Sequence, residues 1–338
     1  LSIPYLLRRW DLFAHFSEPQ LEQLGQCVSR NRFPAGVMIV REGEPTVDAY
    51  LIESGGVRIQ RKTPYGNFNL AELEPGDLFG ETSFIDRNTR SGDAVTLSDT
   101  DLLTLNPLAL QALMEQDQRI TLALYWTFWK SLSKKLRHTN DKLTQFFSET
   151  GKPATTQTPP KLDASGEFRI DLASKRKLFQ EQKLSNLEIN FLTSLSKEKK
   201  LPPQKVLFRE GETATEMYVV LEGRIMISKY IPGAGEEALA FLERGDYFGE
   251  MALIEHQPRS ADAKADDGGA VVLAIPSEVL TGILDINKIS SLRLLKILCN
   301  LVATRLRELD DKIIGWFILA GGAGGAGAGS GTYERIGG

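Results

Sequence analysis

The sequence predicts a mainly β, α+β architecture of two tandem jelly-roll barrels, each entered through helices and each followed by one long helix. Three observations predict it. The chain repeats itself, each repeat carries short apolar runs punctuated by glycine, and each repeat closes on a long stretch of helical periodicity. Arg41-Glu42-Gly43-Glu44 matches Arg209-Glu210-Gly211-Glu212, and Tyr50 to Gly55 matches Tyr218 to Gly223, at an offset of 168. Farther on, Gly76-Asp77-Leu78-Phe79-Gly80-Glu81 matches Gly245-Asp246-Tyr247-Phe248-Gly249-Glu250 at 169. The extra residue falls between Lys229 and Glu237, in a Pro/Gly-bearing stretch where a hairpin loop tolerates a change of length. The pattern is that of a domain duplication.

Taken in order, each copy opens on a helical lead-in. In the second, Val206 to Phe208, Met217 to Leu221, Ile225 to Ile227, Leu239 to Leu242 and Val271 to Ile275 are strand candidates. Short strands at this spacing suit a rolled antiparallel sheet. Helices are expected from Pro107 to about Phe147 and from Ser277 to about Phe317. The expected units are a first domain at 1–148, a polar, proline-bearing linker at 149–166, a second domain at 167–318, and a Gly/Ala-rich flexible tail at 319–338.

Composition bounds the function. With 338 residues, 42% hydrophobic and 25% charged, the chain has material for two cores. A formal net charge of −4 argues against a nucleic-acid footprint. No apolar run approaches the roughly 18 to 20 residues of a membrane span, and no signal-peptide pattern opens the chain. Cys27 and Cys299 lie far apart in helix-like segments, and a reducing, cytoplasmic setting is expected.

The most informative stretch is Phe248-Gly249-Glu250-Met251-Ala252-Leu253, followed by Pro258-Arg259-Ser260-Ala261. The first copy has Phe79-Gly80-Glu81-Thr82-Ser83-Phe84, then Thr89-Arg90-Ser91-Gly92. Glycine before a short helix lets backbone approach a ligand, and free amides at a helix start are anion donors. An arginine nine positions after the glutamate adds a permanent charge on a planar fork. In this order and twice over, such residue types suit a phosphate-bearing ligand.

Both copies resemble the cyclic nucleotide-binding domain family, found in kinase regulatory subunits, cyclic-nucleotide-gated channels and bacterial catabolite activators. The likeness covers nearly the whole chain up to about Phe317, and its specific part is the phosphate-binding cassette. The second copy fits Phe-Gly-Glu-(Leu/Met)-Ala-Leu and Pro-Arg-x-Ala at every named position. The first departs at Thr82, Ser83, Phe84, Thr89 and Gly92 but keeps the groups that would touch sugar and phosphate. By this resemblance Glu250 and Glu81 accept from a ribose 2′-hydroxyl, and Arg259 and Arg90 pair with the cyclic phosphate. Ser260 and Ser91 add hydroxyls beside it, Ala261 leaves room for the anion, and serine after the arginine leans towards cAMP over cGMP.

The resemblance implies a non-catalytic regulatory protein whose ligand is a cyclic mononucleotide, with no cofactor and no metal. A lid over the base would come from the trailing helices, with Tyr125, Trp126 and Trp129, or Asn300, Thr304 and Trp316, in reach. Leu292, Leu295, Cys299, Val302, Leu306, Leu309, Ile313 and Trp316 alternate spacings of three and four, a coiled-coil-like stripe. It suits packing on its own barrel or a homodimer through the C-terminal helix. The rival readings are an empty-pocket scaffolding or dimerisation module, a kinase-regulatory-subunit-like chain, a transcription-regulator fragment and a cyclic-dinucleotide binder. Only three histidines, His15, His138 and His256, stand against a metal-dependent hydrolase.

Overall fold

The computed structural model describes residues 1–148, 172–181, 186–231, 235–285 and 287–319. The expected linker at 149–166, and the expected tail beyond Leu319, lie outside them. The first copy begins with α1 (Ile3–Arg8) and α2 (Glu18–Gly25). Ser17 and Gln20 close a capping box on α2, with Gln20 Oε1 accepting from the Ser17 amide at 2.9 Å. Strands β1 (Val28–Phe33), β2 (Met38–Val40), β3 (Ala49–Ser54), β4 (Val57–Thr63), β5 (Gly66–Leu73) and β6 (Leu78–Phe79) follow. Helix α3 (Glu81–Asp86) interrupts them before β7 (Asp93–Thr96) and β8 (Thr100–Leu105). Two antiparallel sheets result, ordered β1-β8-β3-β6 and β2-β7-β4-β5, with Leu51 opposite Leu103 in one and Ile59 opposite Ala94 in the other.

The expected helix from Pro107 is two helices, α4 (Pro107–Gln116) and α5 (Gln118–Ser148). Asp117 divides them, because it sits in extended backbone and its Oδ1 accepts from the Arg119 and Ile120 amides at 2.7 and 3.1 Å. A short polar side chain there competes with the helix and caps the next one.

The second copy repeats the plan as α6 (Leu172–Glu181), α7 (Asn186–Leu195), β9 (Lys197–Leu201), β10 (Val206–Phe208), β11 (Glu216–Ile231), β12 (Gly235–Leu242), β13 (Tyr247–Phe248), α8 (Glu250–Ile254) and β14 (Asp262–Pro276). Its strands join into one six-stranded sheet, since β11 runs through the places of β3 and β4, and β14 through those of β7 and β8. The expected helix from Ser277 is again broken, into α9 (Ser277–Ile283) and α10 (Leu292–Leu319).

The two long helices join the halves. One hydrophobic cluster runs from the first barrel through α5 and α10 into the second. Of the predicted stripe, Leu295, Cys299 and Val302 are fully buried, Leu292, Leu306, Leu309 and Ile313 nearly so, and Trp316 packs at its margin. Cys299 Sγ donates to the Tyr125 carbonyl of α5 at 3.4 Å, and Phe317 packs on Phe68 of β5 with tilted rings, centroids 4.8 Å apart. The seam is therefore covered by α5 and the first barrel within the chain itself.

Polar contacts across the halves come in matched pairs. Arg61 on β4 bridges Glu42 and Asp311 of α10, and Lys229 on β11 bridges Glu210 and Asp141 of α5. Lys142 of α5 donates to the Asn69 and Leu70 carbonyls of its own barrel, and Lys312 of α10 to the Ala238 carbonyl of its own. Each long helix thus holds its own barrel and leans on the other. The halves are related as two subunits of a pseudo-twofold dimer would be.

Candidate functional site

Each cassette is a tight turn into a one-turn helix. Gly80 and Gly249 adopt φ +81° and +76°, the left-handed region that glycine enters without a steric penalty. A Cβ on Gly80 would lie 2.7 Å from Arg90 Nη1, and one on Gly249 would lie 2.5 Å from Arg259 Nη1. Glycine is what lets the guanidinium tuck against the turn.

The arginines are buried and held alike. Arg90 donates from Nη1 to the Gly80 carbonyl at 3.1 Å, from Nη2 to the Asp48 carbonyl at 2.8 Å and from Nε to Thr46 Oγ1 at 3.0 Å. Arg259 donates from Nη1 to the Gly249 carbonyl at 2.6 Å and from Nη2 to the Glu216 carbonyl at 2.5 Å, its fork 4.1 Å from the Phe208 ring centroid. Fixed by backbone carbonyls, and in Arg259 also by the aromatic ring beneath it, each presents a pre-oriented positive charge.

The glutamates are also buried, and each trailing helix answers its own with a cation. Glu81 Oε1 accepts from Ser131 Oγ at 2.8 Å and Lys135 Nζ at 2.5 Å, both on α5. Glu250 Oε1 lies 3.3 Å from Arg305 Nη1 on α10, and Arg305 also donates to the Tyr247 carbonyl. Burial pushes the Glu250 carboxyl above its ordinary range, against the pull of Arg305. In both glutamates Oε2 is buried without a hydrogen-bond partner among the described residues. An acceptor is left over in each half, suited to a ligand hydroxyl.

A further contact is exchanged between the halves. Arg307 of α10 reaches the first cassette, donating to Asp86 Oδ2 at 2.6 Å, the Thr89 carbonyl at 2.8 Å and Ser83 Oγ at 3.1 Å. Arg137 of α5 reaches the second, donating to Glu255 Oε2 and the Pro258 carbonyl, both at 3.0 Å.

Around the first cassette the walls enclose a cavity of about 670 Å³. Phe79, Gly80, Thr82, Ser83, Arg90 and Ser91 line it together, while Glu81 is fully buried behind them. Around the second the space is about 70 Å³, although Phe248, Gly249, Glu250, Met251, Ala252, Arg259, Ser260 and Ala261 all converge on it. The first volume lies within the usual range for small-molecule pockets, and the second holds a few waters. Leu136 and Asn140 of α5, with Arg305 and Leu309 of α10, also line the second space.

Residues 30–117 and 198–287 match the model of the cyclic nucleotide-binding domain, together more than half of the chain. The chain belongs to the cyclic nucleotide-binding domain family. Both cassettes described above fall inside these matched segments. The chain is 30% identical over 139 residues to a CRP-like cAMP-activated global transcriptional regulator of Mycobacterium tuberculosis, covering 41% of this chain and 60% of that protein. It is 20% identical over 260 residues to human cGMP-dependent protein kinase 2, covering 77% of this chain and 28% of the kinase. A regulatory domain of Toxoplasma gondii PKA solved with cAMP aligns over 86% of this chain and 93% of that one, at 19% identity and a TM-score of 0.32. The chain thus spans under two thirds of each of these two curated relatives.

Family membership did not extend to the expected lid. Tyr125 and Trp129 are buried in the helical core and Trp126 packs on His15, while Asn300 and Thr304 are exposed and Trp316 lies under Lys312. None of the six lines either cavity. The turns that do so lie elsewhere on the same helices, carrying Ser131, Lys135 and His138 on α5 and Arg305 and Leu309 on α10. A signal for them stands in the sequence. Lys135-Leu136-Arg137 with Asp141-Lys142 recurs as Arg305-Leu306-Arg307 with Asp311-Lys312.

Proposed function

We propose that the chain is a non-catalytic sensor of a cyclic mononucleotide, cAMP first and cGMP second, which reports occupancy through α5 and α10. Its two domains are taken as 1–148 and 167–318, joined by 149–166. The observation that carries this reading is the 670 Å³ cavity in which Arg90, the Glu81 turn and the Lys135 wall meet. Ribose and cyclic phosphate ask for an acceptor, a fixed cation and backbone amides, and all three are present in both cassettes. Domain 1 has room for the ligand in the described arrangement, and Glu81 meets the ribose once its carboxyl, behind the cavity wall, is uncovered. Domain 2 takes it only after Arg305 and Leu309 withdraw, because about 70 Å³ is too little for a nucleotide.

Output follows from the shared walls. Ligand in domain 1 contacts the cassette that Arg307 grips, so closing that cassette pulls on α10, whose Arg305 and Leu309 fill domain 2. A second copy of the chain is not needed to bury the helical stripe, and a downstream protein partner would read the α5/α10 pair. Calorimetric titration with cAMP and cGMP on the parent, Arg90→Ala and Arg259→Ala tests the proposal. The tighter binding event disappears in Arg90→Ala and survives in Arg259→Ala. Absence of micromolar binding by either nucleotide to the parent overturns it.

A further inference from the structure

The charged groups lining the small space in domain 2 are two cations and one carboxylate, Arg259, Arg305 and Glu250, set among apolar side chains such as Phe208, Leu239 and Leu309. Each of the three keeps a buried polar atom without a hydrogen-bond partner among the described residues: Arg259 Nε, Arg305 Nε and Glu250 Oε2. Arg259 and Glu250 are only 5% and 1% exposed. The rest of each fork is committed, Arg259 to the Gly249 and Glu216 carbonyls, and Arg305 to Glu250 Oε1 and the Tyr247 carbonyl. Domain 1 lacks both loose Nε–H groups. There Arg90 Nε donates to Thr46 Oγ1, and the cation that answers Glu81 is Lys135. Two replacements in the sequence make the difference: Ala214 stands where the first copy has Thr46, and Arg305 where it has Lys135.

A buried donor or acceptor left unmade costs free energy, so such atoms call for a partner from whatever fills the space. About 70 Å³ is little more than twice the roughly 30 Å³ that one water takes in the liquid, room for a tetrahedral oxoanion and not for a nucleotide. The excess of cations favours an anion, and planar guanidinium forks suit the oxygens of phosphate or sulfate. The carboxylate chooses between these two. Ionised, Glu250 Oε2 can only accept a hydrogen bond. Monohydrogen phosphate brings a hydroxyl on one oxygen and acceptors on the others, whereas sulfate near neutrality has acceptors alone.

We propose that domain 2, in the described arrangement, is a site for inorganic phosphate, with Arg259 and Arg305 donating to its oxygens and Glu250 accepting from its hydroxyl. The inference goes beyond the cyclic-mononucleotide reading, since it needs neither ribose nor base and uses the very pose of α10 that leaves a nucleotide no room. Arg259 belongs to the cassette and Arg305 to α10, so phosphate between them ties the trailing helix to the turn. It thereby opposes the withdrawal of Arg305 and Leu309. The two halves then divide their tasks, one open on a large cavity and the other closed over a small anion.

The test is calorimetric titration of the full chain with inorganic phosphate and with sulfate, in a buffer free of both. Burial raises the Glu250 carboxyl, so the titration is run at about pH 8, well above the ordinary carboxylate range. The parent, Glu250→Gln and Arg305→Lys are compared, each also in an Arg90→Ala background that removes the cassette cation of domain 1. Phosphate binds the parent at least about tenfold more tightly than sulfate, because sulfate leaves a buried carboxylate oxygen facing another acceptor. In Glu250→Gln the ratio falls to within about twofold, since an amide can donate to either anion. A merely disturbed fold would weaken both anions together and keep the ratio. Arg305→Lys, which restores the residue of the first copy, weakens phosphate about tenfold or more. The ratio in the parent needs no substitution and stands even where a variant fails to fold. No binding of phosphate at millimolar concentration means that water alone fills the space, and overturns the proposal. So do equal affinities in the parent, a ratio that persists in Glu250→Gln, and binding that disappears with Arg90→Ala. Each of these leaves the nucleotide reading to its own titration with cAMP and cGMP.

Discussion

Arg90 and Arg259 each commit two donors to backbone carbonyls before any ligand arrives, one in the cassette turn and one where β3 or β11 begins. That cost in free donors returns as orientation, since a held guanidinium loses little entropy when an anion docks. Charge-assisted hydrogen bonds contribute roughly 1.5 to 3 kcal/mol each, so Arg90→Ala should weaken nucleotide binding in domain 1 by more than about a hundredfold. Gly249→Ala tests the turn itself. Its Cβ would meet Arg259 Nη1 at 2.5 Å at a φ of +76°, and a loss of about 1 to 3 kcal/mol is expected in chemical denaturation. An unchanged midpoint would show that the arginine has room to move aside.

At the scale of elements, α5 and α10 carry both the packing and the polar exchange. Leu298 is fully buried in the cluster that spans the halves, and Leu298→Ala should destabilise the chain by about 2 to 5 kcal/mol in urea melts. Arg307 and Asp86 form a largely buried cross-domain pair, with side-chain exposures of 17% and 7%. Removing one partner of such a pair costs more than breaking a surface bridge, because the other charge is left buried without compensation. A double-mutant cycle on Arg307→Ala and Asp86→Ala should give a coupling of about 0.5 to 3 kcal/mol, and additive losses would deny the clamp.

For the whole molecule, Asp310 makes stability depend on pH with a definite sign. Its folded carboxyl is pushed up to about 7, while an unfolded aspartate titrates near 3.9, so between these values the folded state binds the extra proton. Its contribution is full below about pH 4 and is lost as pH rises through about 7. The denaturation midpoint of the parent, measured against Asp310→Asn, should therefore fall between pH 5 and pH 8; a constant difference would place the carboxyl in water. Ligand binding acts at the same scale. A two-state shift needs ligand to favour one arrangement by about 10⁴-fold to move populations from 1:99 to 99:1, a demand that two coupled sites can divide. Small-angle scattering with saturating cAMP should differ from the free chain, and superimposable curves would rule out a large reorientation of the halves.

The sequence by itself determined the duplication, the barrel class and the cassettes, because these rest on local chemistry. A left-handed glycine, a glutamate opening a short helix and an arginine at fixed spacing are legible wherever they stand; Glu250 lines the space at its cassette, while Glu81 is buried behind the wall of its own. The heptad-like stripe marks a buried seam, although its periodicity is silent on the partner. Tertiary structure decided that α5 covers it, that Asp117 divides the helix leading there, and that Arg137 and Arg307 change sides. It also decided how much room stands at each cassette. The second cassette matches the pattern at every position yet has little space, while the altered first copy opens on about 670 Å³. The physical reason is that a cassette motif specifies groups along a few residues of chain, whereas room for a ligand depends on side chains brought in from helices far away in sequence.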